Sequence, residues 1–110
     1  MKNELLNLKL SGEITWRLAQ VHLDKKIYEL NNYFSSENFD YRNDSLEIYI
    51  DLNDVTKVDM SALALIIEIE KNVNIMIKEK NLFEIVWLNV PPDLLALANL
   101  CGLEQELNFK

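Results

Sequence analysis

Leu6, Leu8 and Leu10 alternate with polar residues, a period of two that puts one apolar row on one side of a strand. Ser11-Gly12 permits a turn or bulge before Glu13-Ile14-Thr15 resumes an extended run, so the chain is expected to open with a strand or hairpin. The period then changes. Ala19, Leu23, Ile27, Leu30 and Phe34 recur at helical spacing, which predicts a helix beginning near Trp16, capped by Thr15 and laid on one face of a sheet. Ser35 to Ser45 is polar apart from Phe39 and Tyr41 and reads as a connecting loop.

Leu46, Ile48, Ile50 and Leu52 share one side of a second strand, with Tyr49 adding an apolar contact on the other, as expected of a central strand. Asp51 is expected to end that strand, Asp54 to sit in a turn and Asp59 to cap the next helix. The following segment is ambiguous. Glu68-Ile69-Glu70 and Val73-Asn74-Ile75 alternate as strands do, yet Ala62, Leu65, Ile66, Ile69, Val73 and Met76 form a helical stripe, and the length without breakers favours helix. Leu82 to Val90 is short and rich in β-formers, so it predicts a third principal strand.

Pro91-Pro92-Asp93 signals a helix start and Gly102 its stop. Between them Leu94, Leu97, Ala98 and Cys101 make an apolar stripe that would bury the Cys101 thiol, and Leu103 can complete a hydrophobic cap. Glu104 to Phe109 can add an edge strand. Alternating strands and helices predict an α/β domain with mainly parallel inner strands and right-handed crossovers.

The 110 residues suit a single domain, and 49% hydrophobic with 26% charged residues is the composition of an ordinary globular chain. A formal charge of −7 without any basic run opposes nucleic-acid binding and makes a basic partner surface the easier fit. The longest apolar run, Ala62 to Ile67, falls far short of the about 20 residues a membrane helix needs, and Met1-Lys2-Asn3-Glu4 begins no signal peptide, so a cytosolic place is expected.

Chemistry is sparsely provided. His22 is the lone histidine, with no second His or Cys at ligand spacing, so it is expected at a helix surface or boundary and no metal site is implied. Ser61 lacks the elbow of a serine nucleophile. Asp51, Asp54 and Asp59 fail the calcium-loop spacing, which would need Gly at Thr56 and Glu at Ala62. Gly12 and Gly102 cannot assemble a phosphate loop. No catalytic residue and no cofactor follow, and the chain is not expected to be an enzyme. Trp16 and Trp87 suit core anchoring, with Trp16, near a helix start, the one suited to an interface.

Val55-Thr56-Lys57-Val58-Asp59-Met60-Ser61-Ala62-Leu63-Ala64-Leu65 resembles the signature of the STAS domain, the fold of anti-sigma-factor antagonists and transporter regulatory domains. Leu46 to Leu52 resembles the strand before that signature, Ser11-Gly12-Glu13-Ile14-Thr15 the early Gly-Glu segment, and Leu94 to Leu103 the last helix with its Gly-Leu ending. The resemblance covers most of the chain and is strongest to the small stand-alone subunits of Mla-type phospholipid-transport ABC complexes. It implies a single STAS domain over residues 1–110, with a mixed sheet of about four to five strands and helices packed against it.

It further implies a non-enzymatic adaptor that binds an MlaF-like ATPase, and through it an MlaE-like permease, at the cytoplasmic side of the inner membrane, supporting outer-membrane lipid asymmetry. Docking would use Lys57, Asp59, Met60, Ser61, Ala62 and Leu63, with neighbouring residues of the first helix. Met60 would fill an apolar pocket, Ser61 would hydrogen-bond and Asp59 would hold the helix start. Met60 stands where the family carries Ser or Thr, and Ala62 where it carries Gly. Ser61 comes one position later, about 100° round a helix, and is the candidate phosphoacceptor in the alternative reading, an anti-sigma-factor antagonist. A nucleotide-binding regulator, using free N–H groups at the helix start, is a third reading, opposed by the acidic charge.

Overall fold

Leu46, Ile48, Ile50 and Leu52 are all buried along one side of strand β2 (Ser45–Val58), the middle strand in a computed structural model describing residues 3–35, 45–76 and 83–110. It pairs in parallel with β1 (Asn3–Ile14) on one side and β3 (Phe83–Leu88) on the other. The register aligns Leu8 with Ile50 and Ile50 with Trp87, so apolar rows from three strands form one continuous surface. Three helices cover it: α1 (Ala19–Phe34), α2 (Met60–Met76) and α3 (Pro92–Leu100). Leu30, Ile66, Ile69, Val73, Leu94 and Ala98 join the inward strand residues in one core, and α2 packs between α1 and α3.

The chain is therefore α/β, as expected, but among the described residues the sheet has three strands, fewer than the about four to five implied by resemblance, and all are parallel rather than mixed. Leu6 to Leu10 and Glu13-Ile14 are not two arms of a hairpin. They belong to one strand, in which Gly12, at φ +78°, and two register shifts against β2 absorb the irregularity as a bulge. The expected edge strand of the tail is a single parallel bridge of Phe109 to Trp87, closed by Trp87 N–H to Asn108 O (2.9 Å) and Lys110 N–H to Trp87 O (2.8 Å).

Several local expectations are also corrected. Helix α1 begins at Ala19, not near Trp16, because the Thr15 hydroxyl turns back to the Glu13 carboxylate and only the Thr15 carbonyl receives Leu18 and Ala19 N–H groups. Its buried line runs through Lys26 rather than Ile27, since Leu23, Lys26 and Leu30 hold the inward spacing, and the Lys26 ammonium reaches Glu29 at 2.6 Å. Strand β2 runs through Asp51 and Asp54, which neither end it nor turn it; Asp54 pairs instead with Lys9 at 2.9 Å.

The ambiguous segment is helical throughout Met60–Met76. Helix α3 ends as expected, with Gly102 at φ +70°, Gly102 N–H to Asn99 O and Leu103 N–H to Ala98 O, the double bond of a Schellman ending. Cys101 is exposed rather than buried: it is the cap residue after Leu100, at the end of α3 where the chain turns away through Gly102. The polar connection after Ser35 lies mostly outside the described residues. Among the described residues, no helix is long and apolar enough to cross a membrane.

Trp87 is completely buried, and its indole N–H donates to Glu70 Oε2 on α2 at 2.8 Å. Burial pushes the Glu70 carboxyl above its ordinary value, against the opposing pull of that hydrogen bond. Glu70→Leu, which orphans the indole N–H, is expected to cost about 1–3 kcal/mol in urea unfolding, whereas Glu70→Gln, which keeps an acceptor and removes the charge, should hold wild-type stability at pH 7 or exceed it.

Candidate functional site

Ile14 and Val58 end adjacent parallel strands in register, so the chain leaves both at the same end of the sheet. From Ile14 it makes the turn 15–18 into α1, and from Val58 it passes through Asp59 directly into α2. The Asp59 carboxylate joins the two. Its Oδ1 accepts the Ser61 N–H at 2.8 Å, capping the first turn of α2, and its Oδ2 accepts the Trp16 N–H at 3.1 Å, across 43 positions of sequence. The Asp59 carbonyl also accepts the Ala62 N–H at 2.9 Å.

Partial desolvation works to raise the Asp59 pKa, but the Trp16 and Ser61 N–H groups, the Ser61 hydroxyl and nearby Lys57 together hold it below the ordinary aspartate value. A second tie braces the same corner. The His22 ring Nε2 donates to Glu13 O at 2.8 Å, fastening α1 to the end of β1 and leaving the lone histidine in a boundary position.

The bracing leaves large apolar side chains in solvent. Trp16 is 76% exposed and Met60 50% exposed, one in each of the two turns that the Asp59 carboxylate joins. The surface continues along the outer side of α1 through Leu18, Val21 and Tyr28, all exposed. Of the residues expected to dock, Lys57 and Met60 are exposed, while Asp59 and Ser61 are half-buried. Ala62 and Leu63 face the core, 1% and 3% exposed, because they occupy the inward side of the first turn of α2, and so anchor the site rather than present it.

Sequence reasoning underused Trp16 and missed the outer face of α1. The signal was present, in Leu18, Val21, Lys25 and Tyr28 at three- and four-residue spacing, but the inner stripe of the same helix masked it. Elsewhere, Asp51 lies below its ordinary pKa through the Asn89 side-chain amide and the Asn53 N–H. Asn89 itself takes φ 55°, which Asn tolerates, at the exit from β3.

Among the described residues, no group of three or more His, Cys, Asp or Glu side chains is placed to hold a metal ion. An open cleft of about 500 Å³ between α2 and β3 is lined by Glu70, Glu84, Glu106 and Lys71 among others; a second, of about 600 Å³, spans Lys9, Lys26, Tyr49 and Asp51. No protein-family model matches this chain, and no curated protein matches it.

Because its folded pKa is lowered, Asp59 contributes stability that is fully present above the unfolded value near about pH 4 and lost as pH falls through the folded value. Urea midpoints followed from pH 7 to pH 2.5 should therefore drop more steeply for the wild type than for Asp59→Asn. Equal slopes would mean that the carboxylate charge does not hold the corner.

Proposed function

We propose that this chain is a non-enzymatic STAS-type adaptor of the MlaB kind, which docks on the ATPase of an Mla-type ABC transporter and supports the assembly and activity of that transporter in phospholipid transport. Its place would be cytoplasmic, peripheral to the inner membrane through the ATPase and permease. One observation carries the docking half of the reading: a single carboxylate braces two turns so that Trp16 and Met60 stand exposed on a rigid corner. Exposed aromatic and thioether side chains held on a scaffold lose little entropy on binding and make good anchors.

The transporter half rests on the likeness of the β2–α2 junction, of the Gly12-Glu13 segment and of the α3 ending to STAS domains, and on the parallel α/β order in which these segments fall. The anti-sigma alternative is weaker. Both the backbone N–H and the hydroxyl of Ser61 are turned onto Asp59, so a phosphoryl group there would place two negative groups together. Met60 offers no hydroxyl at all.

Affinity purification of the tagged chain with its membranes, followed by mass spectrometry, should recover an ABC ATPase and its permease; recovery of a histidine-kinase-like anti-sigma factor instead would overturn the reading. With the purified ATPase, Met60→Asp should abolish binding while leaving the melting temperature unchanged. Trp16→Ala should weaken binding by about 2 kcal/mol, or roughly thirtyfold, as truncation of a central anchor does.

A further inference from the structure

The charges around this corner run against those of the whole molecule. The chain carries a formal charge of −7, yet Arg17 adjoins Trp16, Lys25 lies on the outer line of α1 between Val21 and Tyr28, and Lys57 lies close enough to Asp59 to lower its pKa. All three are exposed. Elsewhere the described cations are largely spoken for: Lys9 pairs with Asp54, Lys26 with Glu29 and Lys71 with Glu68. Among the described residues, Arg17, Lys25 and Lys57 form no ion pair. The neighbouring anions already accept from donors of this chain: Asp59 from the Trp16 and Ser61 N–H groups, Glu13 from the Thr15 hydroxyl, and Asp24, exposed beside Lys25, from the Gln20 side-chain amide.

We propose that this surface is complementary to an apolar socket rimmed by carboxylates, so that the ATPase surface it meets is locally acidic even though the chain as a whole is acidic. The inference rests on the adaptor reading and specifies its partner. Exposed apolar side chains accompanied by cations without an ion pair among the described residues would leave those cations desolvated and uncompensated against a neutral or basic socket, whereas carboxylates at the rim pair with them and steer the approach. A basic partner surface, the easier match to the net charge, would meet like charge at the point of contact. An anionic membrane is disfavoured as occupant because three cations add only about 1 kcal/mol each near such a surface, on a molecule that it repels overall.

The test compares wild type with the triple variant Arg17→Glu, Lys25→Glu, Lys57→Glu, all at exposed positions, in binding to the purified MlaF-like ATPase of the same organism at low and physiological salt. The association rate should fall about tenfold or more at low salt, and the difference between the two proteins should shrink as salt rises. Matching melting temperatures for the two proteins would exclude misfolding, and if the triple variant unfolds, Arg17→Gln with Lys57→Gln should show the same loss in smaller measure. A wild type that binds the ATPase while the reversed variant binds as well or more tightly overturns the acidic socket alone. Failure of the wild type to bind at any salt overturns the adaptor reading and this inference with it. Charge-dependent capture of the wild type by phosphatidylcholine–phosphatidylglycerol vesicles, without ATPase binding, would replace the socket with a lipid surface.

Discussion

Strand β2 hydrogen-bonds in parallel to both of its neighbours, and much of the rest of the molecule follows from that pairing. A parallel neighbour cannot be reached by a tight turn, so each connection must carry the chain back along the sheet, and helices are the economical way to do so. Because the strands lie side by side in chain order, crossovers of one hand place their helices on one face. The single core, with α2 lying between α1 and α3, is the packed form of that constraint. The same pairing brings the β1–α1 and β2–α2 turns to one end of the sheet, where one carboxylate can reach both.

Asp59 converts that coincidence of position into a defined surface. Cap residues ordinarily serve one helix end, but here the second oxygen of the carboxylate is spent on the turn before another helix. The corner is thereby held from two sides, with His22 adding a third tie from α1 to β1. Rigidity of this kind suits recognition, since an anchor that is already ordered loses less freedom on binding. The Asp59 and Glu13 carboxylates are engaged by backbone and hydroxyl donors of the same corner, while Arg17 and Lys57 stay exposed there.

The two tryptophans show how differently one residue type is used. Trp87 lies on the inward side of β3 with its indole N–H satisfied by Glu70, while Trp16 lies in a turn with its backbone N–H bound and its ring in solvent. What separates them is the element that carries each one. A strand residue with inward parity is committed to the core by its neighbours, whereas the turn before α1 has no parity to impose.

Element type and order were legible in the sequence because periodicity is a local property. Leu46 to Leu52 alternate, Ala62 to Met76 stripe at helical spacing, and Pro92 with Gly102 mark the ends of α3; each determines its own element whatever surrounds it. The cap by Asp59 was legible for the same reason, since it spans two residues. Tertiary structure decided what depends on partners distant in sequence. Gly12 became a bulge rather than a turn because β2 lay alongside to keep β1 straight. Asp51 stayed within a strand because β1 and β3 pair with it on both sides, and Asp54 because β1 pairs with it at Ser11 and Lys9 binds its carboxylate. Trp16 met Asp59 only because parallel pairing closed a sequence separation of 43. Local spacing can announce a helix or a cap, but not which two turns will share a carboxylate, because that depends on where the sheet delivers their ends.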